Sequence, residues 1–139
     1  MTAVAHHDGV TIPAAVLELL RAPSPCFITT LMKDGSPQTT QTWVDTDGEH
    51  VVINTVEGYQ KVTNVSRDPR VTVAVSDPEN SFRYAEIRGE VIGMTTDGGA
   101  DHIEELSQKY TGGPYQNYGG RAQTRVILTI RADKVNLMG

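Results

Sequence analysis

Six runs rich in β-branched and aromatic residues, parted by short turns, fall within 139 residues together with two or three short helical patterns. An open sheet of that size would leave long unpaired edges, so the pattern predicts a mainly β fold with small helices, a closed or split β-barrel of about six strands. The runs are Cys26–Met32, Gln38–Asp45, His50–Asn54, Arg70–Ser76, Phe82–Thr95 and Arg125–Arg131, the last continuing towards Val135 and Leu137. Turns at Lys33-Asp-Gly-Ser-Pro37 and Asp45-Thr-Asp-Gly48 predict that the first three form a meander. Gly89 and Gly93 in the long fifth run predict a bulge or bend, as a small barrel needs where a strand turns a corner.

Between the strands, Thr11 and Pro13 precede apolar residues at helical spacing, predicting a helix over 12–21 with Thr11 as its N-cap. After an Asp97–Asp101 linker, Ile103, Leu106 and Tyr110 fall on one face of a predicted helix over His102–Tyr110. The stretch Thr111–Gly120 combines tyrosines with glycine and proline, the makings of a functional loop. Residues 1–9 are expected as a flexible terminus, its His6 and His7 without a metal role. No repeat or long linker divides the chain, so a single domain over 1–139 is expected.

A net charge of −5 and a pI near 5.3 argue against a nucleic-acid or anionic-membrane partner, which would reward a basic face. The one cysteine, Cys26, cannot form an internal disulfide and reads as a small buried hydrophobe in a reducing compartment. No apolar run approaches the roughly 18 residues of a membrane span, and the N-terminus lacks the order of a signal peptide. A cytoplasmic protein is expected.

The segment Asn54–Arg70 carries the strongest hint of function. It follows a strand, predicts a short helix just after Glu57-Gly58, and ends in a turn at Arg67-Asp-Pro-Arg70 before another strand. The Lys61 ammonium and first-turn amides of such a helix can face one phosphate; the plain alternative is a solvated lysine. Asn54 and Thr55, short polar residues at a strand end, suit a cleft beside a loop. Asn64 fits a local turn or cap, and Arg67-Asp-Pro-Arg70 fits either a helix-ending turn or a second clamp. Trp43 and the five tyrosines divide between core or interface packing and ring stacking. No catalytic triad, phosphate loop, dinucleotide glycine signature or metal-spaced cluster is present, and the four histidines are scattered.

Three blocks, Ile28-Thr-Thr-Leu-Met-Lys-Asp-Gly-Ser-Pro-Gln38, Gln60-Lys-Val-Thr-Asn-Val-Ser-Arg-Asp-Pro-Arg-Val71 and Ala85-Glu-Ile-Arg-Gly-Glu90, together resemble the pyridoxamine 5'-phosphate oxidase-like split β-barrel family. With the late loop Lys109–Tyr115, they are most similar to its actinobacterial branch that uses the deazaflavin coenzyme F420. The resemblance implies an FMN-binding-like split barrel and a homodimer with two cofactor sites, each lined by both chains. It implies Lys61 as the phosphate contact, with neighbouring Gln60 in the same block, and Asn54 and Thr55 beside the phosphate and ribityl chain. Thr29, Thr30, Gln41, Thr42 and Trp43 match strands along which the tricyclic ring lies. Arg83 sits where the flavin-using oxidases carry an arginine, whereas Glu86 stands where they carry a second one, which disfavours pyridoxamine phosphate oxidase activity and favours a deazaflavin.

The implied function is an F420-dependent reductase that passes hydride to a small electron-poor acceptor, with residues 110–120 as a lid. An FMN-dependent oxidase or reductase of the same fold is the alternative, and a non-catalytic carrier of a cofactor, haem or lipid-like ligand is a third. A cofactor that supplies the redox chemistry explains why no acid, base or nucleophile stands out.

Overall fold

A computed structural model describes residues 9–117 and 120–139. His6, His7 and Tyr118 lie outside the described residues. Seven strands, β1 (Cys26–Leu31), β2 (Pro37–Thr42), β3 (Val44–Thr46), β4 (Val51–Val56), β5 (Arg70–Asp77), β6 (Asn80–Thr95) and β7 (Arg125–Met138), form one sheet in the order β2-β1-β5-β6-β7-β4-β3. Every pairing is antiparallel.

The expected total of about six strands becomes seven at Trp43. The run Gln38–Asp45 breaks there, so that β2 pairs with β1 and β3 with β4, and no three-stranded meander forms. The consequence is architectural. β2 and β3 occupy opposite ends of the sheet order with only Trp43 between them, so the sheet must curl until its two edges meet. This is the split barrel, and Trp43 is where the chain crosses its seam.

Alternation fills the interior. Ile28 of β1, Val51 and Ile53 of β4, Val73 and Val75 of β5, Ile87 of β6, and Leu128 and Ile130 of β7 are all essentially inaccessible to solvent. The longest strands bend as their glycines predict, with register shifts at Arg88/Gly89 and between Val91 and Gly93. At Gly89 the two backbones come so close that a Cβ would lie 1.8 Å from the Arg131 carbonyl oxygen.

Among the described residues three helices close the barrel. Helix α1 (Ala14–Arg21) buries Val16, Leu19 and Leu20. Pro13, not Thr11, is its N-cap; its carbonyl takes the Val16 and Leu17 N–H groups at 3.0 Å each, and the helix begins two residues later than expected. Helix α2 (Gln60–Arg67) packs on β1 and sends Val65 into the core. Helix α3 (Gly99–Thr111) starts three residues early, absorbing the end of the expected linker, because Gly98 adopts a positive φ of 74° at the N-cap. Among the described residues no helix is long and apolar enough to cross a membrane.

Candidate functional site

At the seam the chain builds an aromatic wall. The Trp43 ring stacks on Tyr110 of α3, centroids 5.2 Å apart and planes 11° from parallel, while Tyr115 meets it edge-on at 6.4 Å. The Tyr110 hydroxyl donates to the Ser24 carbonyl at 2.8 Å and accepts from the Val44 N–H at 3.1 Å. These bonds fix the ring to the first residue of β3, and burial pushes the phenol pKa up. A cleft of about 470 Å³ opens here, lined by Gln41, Thr42, Trp43, Asn54, Tyr115 and Arg125 among others. Its size suits a ligand larger than a single ring. Cys26 also borders it, but burial drives its thiol to about 12, the nearby Lys109 charge opposing only in part, so it is no nucleophile.

Arg125 opens β7 directly across from Val56 at the end of β4. Its guanidinium lies over the Tyr115 ring at 4.8 Å, donates to the Tyr115 hydroxyl and to Gln123 Oε1 (2.9 Å), and reaches Asn54 Oδ1 at 3.4 Å. Its Nε is buried with no acceptor among the described residues. Lys61 on α2 is 8% exposed, with its ammonium 5.5 Å from the Tyr59 ring centre and no hydrogen-bond acceptor or carboxylate partner among the described residues. Burial, and then the charge of Arg125, hold its pKa below 10.5. Two neighbouring cations without a neutralising carboxylate, in a chain of net charge −5, form a site that an anion stabilises.

Asn54 belongs to both features. Its Nδ2 donates to the Gly99 carbonyl at 2.9 Å and to His102 Nδ1 at 3.1 Å, and His102 Nε2 meets Asp45 Oδ2 at 2.9 Å. Three elements, β3, β4 and α3, are thus joined behind the cleft.

Of the residues expected at the site, Gln41, Thr42, Trp43 and Asn54 line the cleft, and Lys61 stands near its Arg125. Thr55 is buried, and its hydroxyl has no hydrogen-bond partner among the described residues. Thr29 and Thr30 point to opposite faces of β1 and do not share a surface: Thr29 meets Thr39 at 2.8 Å on one side, and Thr30 takes a bond from Asn64 Nδ2 at 2.9 Å on the other. Gln60 likewise bonds Asn64, at 2.8 Å. Asn64 is fully buried and is the anchor of α2 on β1, a larger role than a local cap. Arg83 pairs with Asp77 at 3.4 Å beside the β5–β6 hairpin and is not among the cleft's lining residues.

Arg67-Asp-Pro-Arg70 is a helix-ending turn. Asp68 is clasped by the Arg70 guanidinium at 2.7 Å, a bond that draws its pKa down to about 2, and Arg67 donates to the Leu31 carbonyl at 2.5 Å and to Asn64 at 3.2 Å. Tyr110 lies in α3 as its helical spacing predicts, the penultimate residue of a helix that also takes in Thr111, the first residue of the expected loop, and the Tyr115 N–H is tied to Glu104 at 3.0 Å. Arg125 and the Asp45–His102 pair were not expected. The signal for Arg125 was its place at the head of the last strand, which becomes informative once β4 is known to pair with β7. Among the described residues no group of three or more potential ligands can hold a metal.

The family model described as pyridoxamine 5'-phosphate oxidase matches residues 12–139. Among solved structures, the chain is 30% identical to one named F420 reductase, covering 90% of this chain and 98% of that one with a TM-score of 0.78. A conserved hypothetical protein from Mycobacterium tuberculosis is 24% identical over 94% of this chain and 86% of its own, TM-score 0.72. The General Stress Protein 26 from Bacillus anthracis is 14% identical over 87% and 88%, TM-score 0.64. These last two share the fold. A search of curated proteins found no match.

Proposed function

Because the chain belongs to the pyridoxamine 5'-phosphate oxidase family, we propose that it binds coenzyme F420 and is an F420-dependent reductase of a small electron-poor acceptor. The observation that carries this reading is the pair Lys61 and Arg125. Both are cations without a carboxylate partner among the described residues, and Arg125 keeps a buried Nε without an acceptor. They suit a phosphate-bearing cofactor, and the aromatic cleft beside them suits its planar ring. The 30% identity to the F420 reductase structure favours the deazaflavin over FMN.

In this reading Lys61 and Arg125 hold the cofactor's negative charge, with charge-assisted hydrogen bonds strengthened by burial. Trp43 and Tyr110 form a dry wall for the ring, and Asn54 orients Arg125. Tyr115, carried by the loop after α3, closes one side of the cleft. When bound, the reduced deazaflavin supplies the hydride, so the chain's own residues need only bind, orient and exclude water.

A homodimer and a cytoplasmic location belong to the same proposal. Phe82 is 85% exposed, and the cross-strand neighbours Tyr84 and Met138 also stand open to solvent on β6 and β7. Such a patch supports a second copy as its cover.

Spectral titration of the purified protein with F420 and with FMN tests the reading. Saturable F420 binding, and oxidation of reduced F420 by members of an electron-poor acceptor panel, are expected. Tight FMN binding without F420 binding would overturn the cofactor, and F420 binding without turnover of any acceptor would favour a carrier.

A further inference from the structure

The Asp45–His102–Asn54 chain runs behind the aromatic cleft and ends at its arginine. Its hydrogen-bond directions follow from one fixed point. The Gly99 carbonyl can only accept, so the Asn54 atom 2.9 Å from it is the amide nitrogen Nδ2. The second hydrogen of that nitrogen points to His102 Nδ1 at 3.1 Å, which must therefore be a bare acceptor. The imidazole proton then lies on Nε2, where Asp45 Oδ2 receives it at 2.9 Å.

Asp45 is suited to that task. Burial opposes its charge, but the bonds from His102 and from the Thr46 N–H at 2.8 Å, with the nearby Lys109 ammonium, hold its pKa below 3.8. The consequence lies at the other end of the chain. With Nδ2 committed twice, Asn54 presents its oxygen, Oδ1, to Arg125. An amide turned the other way would set two N–H groups against the guanidinium, and would set its oxygen against the Gly99 carbonyl.

We propose that His102 is a positioning residue of the cleft: it locks the Asn54 amide with its oxygen toward Arg125, and so aims the guanidinium at the bound anion. The proposal rests on the reading of the cleft as an anion-binding cofactor site. Asp45 fixes the tautomer, His102 reads it out as a single acceptor, and Asn54 passes the orientation across the β4–β7 pair. The arrangement holds an arginine in a defined pose without placing a carboxylate beside it, which would compete with the ligand.

The experiment is a double-mutant cycle on F420 affinity joined to imidazole nitrogen NMR of the ligand-free protein. The His102 signals are expected to show the Nε2–H tautomer in the wild type. His102→Leu is expected to weaken binding by about tenfold, the scale of one hydrogen bond lost from a charged network. His102→Gln, whose amide offers an oxygen to Asn54 and an N–H to Asp45, should recover most of that loss. In an Asn54→Ala background, His102→Leu should cost nothing further, whereas a residue that merely supports the fold would cost the same in both. Additive losses, no recovery by glutamine, or an Nδ1–H tautomer would each overturn the proposal. Should wild type bind neither F420 nor FMN, the cofactor reading fails by itself. The same cycle read with inorganic pyrophosphate as probe then decides whether His102 aims Arg125.

Discussion

Trp43 lies on Tyr110 with 5.2 Å between ring centres, although 67 positions of chain separate a strand break from the end of a helix. The stack is the clasp of the split barrel. Tyr110 reaches past Trp43 to the N–H of Val44 and the carbonyl of Ser24, so the seam, α3 and the segment before β1 share one side chain.

Removing the hydroxyl alone tests that clasp. Tyr110→Phe keeps the stacked ring but leaves the buried Val44 N–H without its acceptor, a loss of about 1–3 kcal/mol in unfolding free energy. Urea denaturation followed by the single tryptophan should show the lower midpoint, with the native emission spectrum nearly unchanged. An unchanged midpoint would mean that water replaces the hydroxyl at no cost.

Lys61 should behave as a group kept for binding at the expense of stability. Its pKa is lowered in the folded protein by burial first and Arg125 second, so between that lowered value and 10.5 the unfolded chain binds more protons. Unfolding free energy from this group therefore rises with pH across that window, and the burial cost is present in full below it. Lys61→Met should be at least as stable as wild type near neutral pH, with the difference shrinking as pH approaches 10.5. Lys109 is shifted in the same direction but is common to both proteins and cancels. The same substitution should weaken F420 binding by about 1.5–3 kcal/mol. A variant that is destabilised at neutral pH while binding F420 as wild type does would contradict both arms.

Cys26 should be chemically silent in the native protein. It is fully buried and its thiol is pushed up to about 12 by desolvation, so almost no thiolate forms near neutral pH. Reaction with a chromogenic disulfide reagent is expected only after denaturation, giving one thiol per chain. Rapid native labelling would show that the cleft opens far enough to expose β1.

Local chemistry made most of the fold legible. Turn residues, β-branched runs and the two strand glycines placed the hairpins and bulges, because those signals act over a few residues. The break at Trp43 was hidden, since Gln41-Thr42-Trp43-Val44 has ordinary strand chemistry and only the closure of the sheet decides that its halves part. At the site, Lys61 and Asn54 stand on consecutive elements and were readable together. Arg125 is 71 positions from Asn54, and His102 is 57 from Asp45, so their meeting depends on β4 pairing with β7 and α3 folding back over both. Thr29 and Thr30 show the opposite limit: a family pattern names both, while strand alternation gives them to different faces.

The bulged glycines separate backbone crowding from mere glycine content. At Gly89 a Cβ would sit 1.8 Å from the Arg131 carbonyl oxygen and 2.9 Å from its carbon, backbone atoms held in the β6–β7 ladder, so the strands themselves must part to admit it. At Gly93 the nearest neighbour of a Cβ would be a Thr129 side-chain carbon at 3.7 Å, an ordinary contact. Gly89→Ala is expected to cost on the order of 3 kcal/mol or more, enough to unfold a marginal domain, and Gly93→Ala less than about 1 kcal/mol. Chemical denaturation of the two variants beside wild type measures both. Similar midpoints for the pair would show that β7 yields at Arg131, and that the barrel's bend does not depend on the close approach at Gly89.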